Sequence, residues 1–103
     1  MITAIVRYRL PATISYEACQ NHFHMIAPGF QSTSGLISKH FICAPDGRNA
    51  GGVYQWESKE AAESFYTGPW LQGIIDRYGM EPEISFFEVF ALTDNKAGDV
   101  QFF

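Results

Sequence analysis

Positive charge is scarce in this sequence. Of 103 residues only 7 are Lys or Arg, against 11 Asp or Glu, a formal net charge of -4. Without a broad positive field there is little to hold a phosphate backbone, which argues against nucleic acid as a partner. Charge of either sign is thin, at 17% of residues, where soluble proteins usually carry about a quarter. Part of the apolar surface is therefore expected to meet another subunit. Cysteine is limited to Cys19 and Cys43. They have neither the CxxC spacing of a redox or metal pair nor the extracellular context of a disulfide framework, and both read as buried thiols. No apolar run approaches the ~20 residues of a membrane helix. The opening MITAIVRYRL has arginines where a signal peptide would need an uninterrupted apolar stretch. A cytoplasmic protein with no membrane partner is the expectation. HExxH, P-loop and GxGxxG motifs are also missing, so the motifs point to no metal and no nucleotide.

Apolar and aromatic residues are plentiful, at 47% and 16% of the chain. At this length they suit one shared core better than two small ones. Ile2 to Leu10 is rich in β-branched and aromatic residues and ends at Pro11, as a strand would. Ser15 is a fitting helix N-cap, and Tyr16, Cys19, Phe23, Ile26 and Ala27 share one side of the helix that follows, closed by Pro28 and Gly29. Leu36 to Ala44 and Gly51 to Glu57 read as two strands of a hairpin around the Pro45-Asp46-Gly47 turn. Ser58 caps a second helix that Gly68 and Pro69 interrupt. A further helical piece carries Trp70, Leu71, Ile74, Ile75 and Tyr78. Ile84 to Thr93 is the fourth strand. The fold class expected is α+β, a ferredoxin-like βαββαβ with an antiparallel four-stranded sheet. It spans residues 1–95 as one domain, with a C-terminal tail over 96–103 ending on Phe102 and Phe103.

In such a fold the helices cover one face of the sheet, and each strand should alternate apolar with polar residues. The fourth strand does not: Ile84, Phe86, Phe90 and Leu92 share one parity while Phe87, Val89 and Ala91 occupy the other. Two apolar faces need two covers, and a second copy packing its sheet against this one supplies the missing cover.

Gly35-Leu36-Ile37, then Lys39, the strand AGGVYQW, the Ser58 helix and FYTGPW together resemble the YdhR-like mono-oxygenases of the antibiotic-biosynthesis-monooxygenase superfamily. The similarity runs over about residues 2–94. It implies a homodimeric α+β barrel with a pocket between sheet and helices in each subunit. It also implies oxidation of a small aromatic or polyketide-like ligand by O2 without flavin or metal: a deprotonated substrate gives an electron to O2, and the protein supplies apolar walls, hydrogen-bond donors and a base. Phe23, Tyr54, Trp56, Tyr66, Trp70 and Tyr78 are expected to wall the pocket, and Arg7 to hold an anionic substrate. The haem-degrading relatives use a histidine after the Trp70 position, and no histidine here follows position 40.

Three histidines are candidates for the base. His22 lies ~60° from the centre of the first helix's apolar face, at the border from which it can tip into the pocket. His24, ~200° further round, should face solvent. His40 neighbours Lys39 on the second strand, where consecutive side chains point to opposite faces, so one of the two looks into the pocket. His22 is the first choice as base, with His40 behind it. An alternative is a binding or sensing protein that uses the same pocket without turnover. RNA-recognition domains share the order of elements and display aromatics on the third strand, as Tyr54 and Trp56 would be. They place Lys or Arg before that motif, where this chain has Ala50 and Gly51.

Overall fold

The computed structural model describes residues 1–103. Its elements run β1 (Ile2–Arg9), α1 (Tyr16–Ile26), a 3-10 turn (Ala27–Ser32), β2 (Leu36–Cys43), β3 (Asn49–Trp56), α2 (Lys59–Phe65), α3 (Gly68–Tyr78), β4 (Glu83–Glu88), β5 (Ala91–Asp94) and β6 (Asp99–Phe102). The first four strands form one antiparallel sheet in the order β2-β3-β1-β4. This is the ferredoxin-like α+β arrangement that the order of elements predicts.

Local chemistry explains the helix boundaries. The Ser15 hydroxyl accepts the Ala18 backbone N–H at 3.0 Å and Ser58 accepts that of Ala61 at 3.1 Å, each satisfying a donor that the first helical turn leaves free. Pro69 sits in the first turn of α3, where its missing N–H costs nothing. Gly79 ends the helix at φ 73°, a left-handed conformation that favours glycine, and donates to the Ile75 carbonyl.

One sheet face is the core. Ile2, Ala4, Val6 and Tyr8 of β1 are buried toward the helices, while Arg7 and Arg9 are exposed on the other side. Across from them on β3, Tyr54 and Trp56 lie two residues apart on the inner face with their rings nearly parallel, 6° between planes and 5.9 Å between centroids. Tyr66 closes α2 onto both rings edge-on, and its hydroxyl accepts the Trp56 indole N–H at 3.0 Å. That bond satisfies the one polar atom of a residue with no exposed surface.

The two glycines that open this strand have separate reasons. A Cβ on Gly51 would run into the backbone carbonyl of Val6 on β1, whereas one on Gly52 would come within 2.9 Å of the Lys39 Cε and 2.8 Å of the Tyr54 ring. Gly51 lets two strands approach; Gly52 leaves a bed for a side chain that crosses from β2.

Two features depart from the sequence reading. Where Pro28 and Gly29 were expected only to close the first helix, residues 27–32 form a 3-10 turn that swings Phe30 inward against Phe41, Tyr54 and Phe65. The fourth strand stops at Glu88 rather than Thr93, and residues 91–102 form a hairpin of their own instead of a tail. The Asp94 carboxylate accepts the backbone N–H groups of Lys96 and Ala97 at 3.1 and 3.0 Å and so nucleates the turn.

Gly51→Ala is expected to cost about 1–3 kcal/mol, the usual penalty for forcing atoms into filled space. Gly29→Ala, with nothing within 4 Å of the added carbon, should stay within about 0.5 kcal/mol of the parent. Urea denaturation of both variants checks the contrast.

Candidate active site

Between α1, the 3-10 turn, α3 and the inner sheet face lies a cavity of about 320 Å³. Its walls are aromatic: Tyr8, Phe23, Phe30, Tyr54, Trp70 and Tyr78. Its polar atoms come from His22 on α1, Lys39 on β2 and Arg77 on α3, together with the tyrosine hydroxyls, and no Asp or Glu lines it. In a protein of net charge -4 this collects basic groups where acids are absent. A groove of about 420 Å³ between α1 and β2 is larger, but it opens along the edge strand and brings together only His24, Tyr16 and Cys43 as titratable groups.

Lys39 is the most unusual side chain in the cavity. Its stem passes over Gly52, and its Nζ stands 3.7 Å from the centroid of Phe30, 3.8 Å from Phe41 and 4.5 Å from Tyr54. It has no carboxylate partner, the single ion pair of the molecule being the exposed Lys59–Glu63 on α2. Burial pulls the ammonium down to about 7, since charge is disfavoured away from water. The three ring faces act in the opposite direction, because their quadrupoles stabilise the cation.

His22, half-buried, is also lowered from its ordinary range, by burial first and by the Arg77 guanidinium second. A neutral imidazole at the cavity wall is a suitable proton acceptor. The phenols on the floor behave otherwise. Burial pushes Tyr8 and Tyr54 far above the usual tyrosine range, which leaves them as neutral hydrogen-bonding groups. Tyr8 and Tyr78 stack at 3.9 Å, with their hydroxyls 3.4 Å apart. Nowhere in the molecule do three His, Cys, Asp or Glu side chains come together in a way that could hold a metal ion.

No protein-family model matches the chain, and no curated protein matches its sequence. Solved structures do match. MhuD from Mycobacterium tuberculosis, a heme-degrader with two hemes bound in its active site, is 19% identical over 86% of this chain and 95% of its own, at a TM-score of 0.66. SnoaB of Streptomyces nogalater, a cofactor-independent oxygenase, is 14% identical over 85% and 91%, at 0.63. A mono-oxygenase from the gene ActVA-Orf6 of Streptomyces coelicolor, in complex with Nanaomycin D, is 18% identical over 84% of both chains, at 0.60. The chain shares the ferredoxin-like α+β fold of these proteins.

The cavity brings together His22, Phe23, Tyr54, Trp70 and Tyr78. Trp56 and Tyr66 lie behind them as buried core and do not line it. Two more of the expected residues also lie outside it. His40 is paired with Val53 and exposed on the outer sheet face, and Arg7, paired with Gly51 and Glu83, is exposed there too. Neither lines the cavity. The strand alternation that left one of Lys39 and His40 for the pocket resolves in favour of Lys39. Phe30 carried no readable signal, since its turn has no apolar periodicity. Arg77 was visible as a basic residue three positions after Ile74 on the amphipathic α3.

Because the folded state holds the His22 proton less readily than the unfolded chain does, the stability linked to it is present above the ordinary histidine range, near 6.5, and is lost as pH falls below it. Titration of the His22 ring by NMR should give a midpoint below that value. Arg77→Gln, which removes the neighbouring cation, should move the midpoint upward.

Proposed function

We propose that the protein is a cofactor-independent mono-oxygenase acting on a small aromatic or polyketide-like substrate. The observation that carries this reading is the cavity itself: aromatic walls on several sides, a depressed histidine at its rim, and no carboxylate to hold competing cations. The shared fold with SnoaB and the ActVA-Orf6 enzyme supports it, and the AGGVYQW strand supports placement among the YdhR-like branch. In the proposed reaction His22 takes a proton from a methylene or hydroxyl of the substrate. The resulting electron-rich anion passes an electron to O2, and the two radicals combine. One oxygen atom ends in the product as a carbonyl; the other leaves as water with the two hydrogens lost by the substrate, both from the methylene carbon or one from the hydroxyl and one from the ring carbon that is oxidised. Trp70 and the stacked Tyr8–Tyr78 pair hold the ring system flat, and the tyrosine hydroxyls donate to developing oxyanions.

The working form in this proposal is a homodimer joined through sheet faces. Ile42 and Phe87 are exposed on the outer face, and the β5–β6 hairpin carries exposed Leu92, Val100 and Phe102. A two-stranded hairpin is marginal alone in water, and a partner's sheet would cover these residues. His40 and Arg7 would then face the partner. Light scattering after size exclusion should give twice the chain mass of 11.6 kDa, and Phe87→Glu should shift it toward the monomer.

The chemical test is oxygen uptake by metal- and flavin-free protein with a panel of hydroquinones, anthrones and related phenols. His22→Ala should lower the rate by roughly 10²–10⁴, the usual contribution of a positioned base, and Trp70→Ala should raise the KM. Saturable quenching of tryptophan fluorescence without any uptake would instead identify a non-catalytic binding or sensing protein.

A further inference from the structure

The placement of Lys39 has a consequence for the ligand. Strand β3 has no side chain at Gly52, so the Lys39 stem lies across it. The 3-10 turn and β2 bring Phe30 and Phe41 against the same amine, and Tyr54 supports it from below. Three elements thus converge on one nitrogen that makes no hydrogen bond or ion pair to any protein acid. Long lysines are ordinarily free to place their charge in water. This one is held on the wall of the cavity by packing.

We propose that Lys39 is the anion-binding centre of the cavity, and that its ligand is a planar aromatic with an acidic ring hydroxyl, a phenol or enol, bound as the oxyanion against the Lys39 ammonium. The inference rests on the reading of this cavity as the substrate site. The proton balance closes either way: an ionised ligand meets the ammonium, or a neutral hydroxyl transfers its proton to the free amine, and the same ammonium–oxyanion pair results. Every other group facing Lys39 is compatible with an anion. Tyr54 on β3 and Tyr8 on β1 are buried neutral donors, His22 on α1 and Arg77 and Tyr78 on α3 are bases or donors, and the 3-10 turn contributes only the uncharged Ala27, Phe30 and Gln31. A charge-assisted hydrogen bond in such surroundings is about twice as strong as a neutral one, which makes the negative charge a criterion of recognition.

The test compares 2-hydroxy-1,4-naphthoquinone, an acidic enol that is ionised near neutral pH, with its uncharged 2-methoxy ether, by tryptophan quenching and calorimetry. Neither compound needs to be turned over, so failure of the mono-oxygenase reading and failure of this one are separable. The anion should bind at least about tenfold more tightly than the ether, equivalent to ~1.4 kcal/mol. That preference should weaken as pH rises and Lys39 loses its proton. Lys39→Met should bring the two dissociation constants within about threefold, whereas Lys39→Arg, which stays charged, should keep a preference that no longer depends on pH over this range. Circular dichroism confirms that both variants are folded. Equal affinity for the two compounds, binding of neither, or a preference that survives in Lys39→Met would overturn the proposal.

Discussion

Strands β1 and β3 can lie as they do because Gly51 puts nothing against the Val6 carbonyl, and the Lys39 stem can cross β3 because Gly52 leaves the surface bare. Both the centre of the sheet and the wall of the cavity depend on those two missing side chains. Around them the chain packs its largest rings. Tyr54 and Trp56 stack along the strand, and Phe65 and Tyr66 come down on them from α2. Rings of this size contribute most of the burial available to a small domain. The Trp56 indole N–H donates to the Tyr66 hydroxyl, so no buried side-chain polar atom is left unpartnered beneath the cavity.

The cavity is built from opposing tendencies. Burial drives His22 and Lys39 toward their neutral forms, and the ring faces around Lys39 draw it back toward the cation. A side chain balanced in this way changes charge with a small change in its surroundings, such as the arrival of an anion. The tyrosines lie at the other extreme, where burial holds the phenol neutral. The site therefore sets an amine that burial brings to about 7 and a histidine lowered from its ordinary range beside phenols that burial holds neutral.

Much of this was legible in the residues, and the parts that were not have identifiable causes. The order of elements followed from serine caps, proline and glycine breaks and strand composition, and Tyr54, Trp70 and Tyr78 could be placed near a cavity because strand and helix periods determine their faces. Arg7 and His40 fall on the other side of the sheet, since one residue along a strand turns a side chain from the cavity to the opposite face. Phe30 and the β5–β6 hairpin depend on short-range turn chemistry. A six-residue 3-10 turn and a bond from the Asp94 carboxylate leave little trace in hydrophobic pattern. The doubled apolar parity that suggested a covered outer face belongs partly to this hairpin, since Phe90 and Leu92 lie beyond the end of β4.

In the proposed function, small aromatic ligands enter between α1, α3 and the inner sheet face. The most direct measurement is two-dimensional NMR of isotopically labelled protein titrated with a hydroxynaphthoquinone. Shift changes should concentrate at the backbone amides of Gly51, Tyr54, Trp70 and Gly73 and at the Trp70 indole, with the outer-face amides of Arg7, His40 and Phe87 unmoved. Changes confined to the outer face, or to the groove between α1 and β2 around Gln20 and His24, would contradict it.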